Sequence, residues 1–235
     1  MEWILNPELI MALLTLTVLE IVLGVDNLVF ISILANKLPK DQQKSARNIG
    51  LFLAMFVRIG LLFSLSWIMK LSEPLFAVLG NELSGRDLIL TIGGLFLIFK
   101  STIEIHNHLE GEKDLEKKIK VGFGNIIFQI VLLDIIFSLD SVITAIGLVD
   151  ELNIMIIAIV IAIIFMMIFI NTISTFIEEH PTIKILALSF LLLIGIALIG
   201  DGFGMHIPKG YIYFAMAFST FVEMVNLKLY KRKKD

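Results

Sequence analysis

Two short apolar stretches carry acids at the same spacing: Glu20 and Asp26 in LEIVLGVDNLVF (19–30), and Asp134 and Asp140 in LDIIFSLDSVIT (133–144). Aligned at an offset of 114 residues, Glu20 matches Asp134, Asp26 matches Asp140, and Asn27 matches Ser141. Carboxylates, an amide and a hydroxyl are hard oxygen donors. They suit Mg²⁺, Ca²⁺ or Mn²⁺ better than Zn²⁺ or Cu²⁺, which draw on Cys and His. The chain has no cysteine and only four histidines, so a soft-metal site or a cysteine nucleophile is excluded. Four carboxylates exceed the charge of one divalent ion, which makes protons a candidate coupling partner for its binding and release.

The elements that position these residues follow from composition. Of 235 residues, 57% are hydrophobic and 17% charged, with a mean hydropathy of +0.93. Soluble domains run about 45–50% apolar and about 25% charged. A chain this apolar has no way to hide its surface around one core in water, which excludes a soluble globular domain and a disordered chain. A net charge of −3 speaks against nucleic acid as a partner. The expected class is an all-α membrane protein whose partner is the lipid bilayer.

A helical crossing needs about 20 mostly apolar residues. Seven stretches qualify: 8–35, 48–69, 87–106, 123–149, 153–177, 182–202 and 209–229. The N-terminus lacks a basic region and a small-residue cleavage site, so the first stretch reads as a mature span. Fourteen basic residues fall on one side of these spans and three on the other. The Lys/Arg excess places the N-terminus outside and the C-terminus inside.

The acid motifs each open a group of three spans, 8–106 and 123–206, joined by a charged connector at 107–122 and followed by a seventh span at 209–229. Three is odd, so the second group enters from the opposite face. That is the 3+3 inverted repeat of many secondary transporters, which bind substrate near mid-membrane. Rise per residue puts Glu20 and Asp140 in an outer layer and Asp26 and Asp134 in an inner one, about 9 Å apart. Glu20 and Asn27 share a helical face, and so do Asp134 and Ser141. Asp26 is turned about 120° from Glu20 in a regular helix. An unwound turn at Gly24 would let both face one cavity; the equivalent Ser138 is a poorer breaker. A charged acid at mid-bilayer costs roughly 2.5–3.5 kcal/mol unless paired, protonated or bound to a cation.

Other polar residues have supporting readings. Arg58, deep in the second span, is a candidate counter-ion for the empty site. Lys100 is read as snorkelling towards Glu104. Asp201, followed by Gly202, stands at an outer span end as a candidate access-path residue. His106, His108 and Glu110 border the connector, which reads as a solvated linker. The Gly93–Gly94 pair reads as close helix packing.

With these residues in view, LEIVLGVDNLVF, LLDIIFSLDSVITAIGL and HIPKGYIYFAMAFS resemble the TerC family of integral membrane proteins, named for tellurium resistance, over nearly the whole chain. The resemblance implies a short bacterial member without soluble C-terminal domains, sited in the inner membrane. It also implies manganese efflux linked to metal supply for exported proteins, with Glu20, Asp26, Asn27, Asp134, Asp140 and Ser141 handling the ion. Two positions depart from the family pattern: Asp201, where a glutamate is expected, and Glu179, where a basic residue is expected.

The leading expectation is therefore an exporter of Mn²⁺ or another hard divalent cation, with the metal as cargo and no cofactor. A non-transporting membrane partner or assembly factor is the second class, with secretion-associated partners or a homo-oligomer. The absence of a large soluble region weighs against it. An intramembrane aspartyl protease is the third. Four acids exceed a catalytic dyad, and neither acidic motif reads GxGD.

Overall fold

A computed structural model describes residues 7–64, 69, 71–78, 81–110, 122–146, 151–205 and 207–232. Seven helices lie among them: α1 (Pro7–Ala35), α2 (Lys40–Phe63), α3 (Gly85–Glu110), α4 (Phe123–Ile146), α5 (Leu152–Glu179), α6 (Pro181–Gly202) and α7 (Lys209–Arg232). Six contain windows long and apolar enough to cross a membrane: α1, α2, α3, α5, α6 and Lys209–Leu229 of α7. In α4 the apolar helix is shorter, Phe123–Leu139, in a stretch that carries Asp134. Large apolar side chains such as Phe56, Ile92, Phe99, Phe128 and Ile168 are exposed. Lipid is the solvent that such a surface requires.

Local chemistry sets the boundaries. Pro7 opens α1, where its fixed φ suits a first helical position, and Glu8 in that turn complements the helix dipole. Pro39 has φ −51° and ψ 145°, a conformation that separates α1 from α2. The second helix thus starts eight residues before the expected span and ends at Phe63. Only His180 separates α5 from Pro181, the first residue of α6. At the far end of α6, Gly204 takes φ +76°, and Met205 N donates to the Gly200 carbonyl at 2.8 Å. That reversal needs a residue without a Cβ.

The all-α expectation needs one correction. Between α2 and α3 lies an antiparallel hairpin, β1 (Pro74–Val78) and β2 (Asn81–Ser84), with an irregularity between Pro74 and Phe76. Ser84 then starts α3: its N and Oγ donate to Asp87 Oδ2 at 2.9 and 2.7 Å. Asp87 N donates back to Ser84 Oγ at 3.2 Å, a reciprocal cap. These few residues are too short to cross a bilayer, and a search for 20-residue spans passes over them.

The chain forms two compact units, each drawing on both sequence halves. The first comprises Met1–Ser72 and Lys117–Thr175. Within it α2 packs on α4, and α1 on both. The buried stripe of α2 runs Ala46, Arg47, Gly50, Leu51, Ala54, Arg58 and Leu62, the three- and four-residue spacing of one helix face. A Cβ at Gly50 would lie 2.8 Å from Ile130 Cγ2 of α4, so that glycine is what lets the two helices approach.

The second unit comprises Glu73–Glu116 and Phe176–Asp235. Its main contact is α3 against α6. They meet at two glycines: a Cβ on Gly94 would lie 2.5 Å from the Gly195 carbonyl oxygen, and one on Gly195 would lie 2.9 Å from that of Gly94. The reading of the Gly93–Gly94 pair as helix packing thus holds at Gly94. Ile212 and Met216 of α7 bury against Ala197 of α6. Lys100 Nζ sits 5.8 Å from the Phe96 ring centroid. Residues 111–121 of the 107–122 connector lie outside the described residues. His106 Nε2 is 3.4 Å from Glu110 Oε2, a pair one turn apart near the end of α3.

Candidate functional site

In the first unit, α1 turns Glu20 and Asn27 inward on one face, 3% and 5% exposed. The two residues are seven apart, two turns of helix, so their shared direction follows from phase. On α2 the stripe that packs on α4 carries Arg58, 3% exposed. On α4, Asp134 and Ser138 are one turn apart and equally enclosed.

One guanidinium joins the two acids. Arg58 Nη1 donates to Glu20 Oε2 at 2.7 Å, and Nη2 donates to Asp134 Oδ1 at 2.6 Å. Arg58 Nε lies 3.2 Å from each Asp134 oxygen. Asn27 Nδ2 donates to Asp134 Oδ1, and Ser138 Oγ to Oδ2, both at 3.2 Å. Asp134 is therefore surrounded by donors from three helices. A buried carboxylate is tolerated in apolar surroundings only with such pairing and hydrogen bonding. The planar fork of arginine provides it; an ammonium has no such side-on geometry.

One polar atom at this site is left over. Asn27 Oδ1 is buried and accepts no hydrogen bond among the described residues. A buried acceptor without a donor is costly, and it marks a place for a cation or a water. Beside Glu20 a narrow cleft is walled by Leu16, Leu62, Val142, Met155, Ala158 and Ile159. It has room for about one water molecule. Its walls are apolar apart from Glu20.

The geometry changes two expectations. Glu20 and Asp134 do not lie in separate layers: a single guanidinium bridges them. Rise along each span counts position on one helix and does not show that an arginine on α2 reaches both acids. Nor is α1 unwound at Gly24; it is helical from Pro7 to Ala35. Gly24 is buried where a Cβ would lie 2.6 Å from Met166 Sδ of α5, so its smallness admits a neighbouring side chain. The equivalent Ser138 also sits in an unbroken helix and binds Asp134 instead.

Asp26, Asp140 and Ser141 lie on helical backbone in α1 and α4, and their side chains fall outside the described residues. Among the described residues, no three His, Asp or Glu side chains come together as a metal-holding group. Among the described residues, Glu20 and Asp134 come together with Arg58 between them. Arg58 pairs with both, at 2.7 Å from Glu20 and 2.6 Å from Asp134. Asp201 belongs to the second unit, near the end of α6, where its carbonyl accepts from Gly204 N at 3.0 Å.

A second polar cluster was not anticipated. Arg47, 8% exposed, donates through Nη1 to Ser174 Oγ at 2.8 Å and to Asn36 Oδ1 at 3.3 Å. Its Nε and Nη2 reach Asn171 Oδ1 at 3.2 and 3.1 Å. It ties the end of α1 to α2 and α5. The signal in the sequence was phase: Arg47 and Arg58 are eleven residues apart, about 20° from the same face.

Comparison with known proteins agrees with the sequence motifs. The family described as "Integral membrane protein TerC family" matches residues 5–235. The chain belongs to the TerC family. It is 55% identical to a UPF0053 protein of Haemophilus influenzae over 236 residues, covering 99% of each chain. It is 54% identical to the UPF0053 inner membrane protein YgdQ of Escherichia coli K12, over 96% of this chain and 95% of that one. It is 49% identical to YoaE of the same organism, over 96% of this chain but 44% of the longer relative. No solved structure matches. As a TerC protein with six bilayer-length apolar helices, the chain is a multi-pass inner-membrane protein.

Proposed function

We propose that this TerC protein exports a hard divalent cation, Mn²⁺ foremost, by alternating access, and acts as a transporter and not an enzyme. The observation that carries the reading is the buried Asp134, flanked by an asparagine whose Oδ1 has no donor among the described residues. Intramembrane acids are functional sites by default, because burying one for structure alone is unfavourable. Carboxylate, amide and hydroxyl oxygens make a hard donor set, suited to Mn²⁺ and poor for Zn²⁺ or Cu²⁺.

In this reading α4 also crosses the membrane, which brings the crossings to seven, with the N-terminus outside and the C-terminus inside. Glu20, Asp26, Asn27, Asp134, Asp140 and Ser141 handle the ion across an inverted repeat, with Arg58 as counter-ion. Two facts support the repeat. The matched acids Glu20 and Asp134 share one partner. The helices bearing them, α1 and α4, pack on each other. Protons are the proposed coupling ion.

Cellular manganese tests the proposal. Bacteria lacking their own manganese exporter and expressing this chain should hold less of the metal after a Mn²⁺ load than cells carrying the empty vector. Asp134→Asn should abolish the difference. Equal manganese content in wild-type and empty-vector cells would refute it.

A further inference from the structure

We infer that Arg58 is a built-in competitor for the transported cation: its guanidinium occupies the cation's place at Asp134 when the ion is absent, and must retreat onto Glu20 when the ion binds. The inference rests on the exporter reading and adds the event that alternates with ion binding.

Three observations carry it. First, both oxygens of Asp134 already face donors, with Arg58 Nη2 at 2.6 Å from Oδ1 and Nε at 3.2 Å from each. A divalent ion binding either oxygen directly would sit against a fixed positive charge in a low-dielectric interior, so the two cations exclude each other there. Second, Arg58 has somewhere to go. Its Nη1 is 2.7 Å from Glu20, so leaving Asp134 does not strand a buried charge. The water-sized cleft lies on Glu20's side, with Leu62, one turn beyond Arg58 on α2, in its wall. Third, Asn27 Oδ1 has no donor among the described residues in the arginine-bound arrangement. An ion at Asp134 would satisfy it.

The sequence adds that one arginine serves both halves. At the 114-residue offset Arg58 aligns with Thr172, and α5 holds neither lysine nor arginine. Between exchanges of cargo, the guanidinium would keep the two acids from facing each other uncompensated. This makes Arg58 a positioning residue whose location, on Asp134 or on Glu20, decides whether the ion site is open.

The prediction is read from Mn²⁺ binding to the purified full-length protein, by titration calorimetry with manganese chloride, in four forms. Arg58→Gln should bind Mn²⁺ more tightly than wild type by about tenfold or more, the factor that about 1.4 kcal/mol represents. Glu20→Gln leaves the guanidinium on Asp134 alone and should weaken binding by a similar factor. Glu20→Gln/Arg58→Gln should recover at least wild-type affinity. That double variant removes one charge of each sign, so its comparison with Glu20→Gln decides the matter even if Arg58→Gln alone does not fold. A double variant as weak as Glu20→Gln would make Glu20 a direct ligand and overturn the competition. Wild-type binding with no gain in Arg58→Gln would overturn it too, while leaving the exporter reading standing. No binding in any form would overturn both.

Discussion

Glu20 and Asp134, 114 residues apart in sequence, are held 2.7 and 2.6 Å from the two terminal nitrogens of one guanidinium, that of Arg58. Each is almost fully enclosed by apolar helices. Two like charges brought so close would repel strongly; with Arg58 between them the trio carries a single net negative charge. In the exporter reading, that residual charge beside the Asn27 amide oxygen, unpartnered among the described residues, would draw a further cation.

Stability should depend on this trio. In metal-free buffer, Arg58→Ala leaves two uncompensated carboxylates and should cost about 3–5 kcal/mol. Thermal unfolding in detergent checks it. Adding Glu20→Gln and Asp134→Asn to that variant should return much of the loss, because the repelling charges are then gone.

Gly24→Ala and Gly94→Ala should part company. At Gly24 the obstacle is Met166, whose thioether end can move, and alanine favours the helix by about 1 kcal/mol over glycine. Stability and transport should both survive. An unwound functional turn at Gly24 would instead lose transport. At Gly94 the obstacle is the Gly195 carbonyl, which cannot swing away, so about 1–3 kcal/mol should be lost in the same melting assay.

The Arg47 cluster calls for arginine specifically. Arg47→Lys keeps the charge but cannot reach Asn36, Asn171 and Ser174 together. Melting experiments should show a loss of about 1.5–3 kcal/mol, close to that of Arg47→Ala. A lysine variant as stable as wild type would show that charge alone holds α1, α2 and α5 at that end.

Much of this arrangement was legible from residue order, because a bilayer imposes length and hydropathy on each helix. The phase of Glu20 and Asn27 put both on one face, which turns inward. Arg58 stood out as an arginine deep in an apolar span. What stayed hidden depends on partners distant in sequence. Gly24 reads equally as a helix breaker or as room for a neighbour, and only Met166 decides between them. Height along a span did not reveal that Glu20 and Asp134 share Arg58, because that depends on how α1, α2 and α4 pack. The hairpin at 74–84 was too short to register against a search for long apolar runs. Asn171 and Ser174 gained meaning only once Arg47 was seen to reach them.

The most direct measurement is Mn²⁺ flux by the purified protein alone in liposomes, comparing wild type with Asp134→Asn. Transport by the wild type, reduced at least about tenfold by that single substitution, is the predicted result. Equal flux through both proteins would contradict the placing of the ion at Asp134.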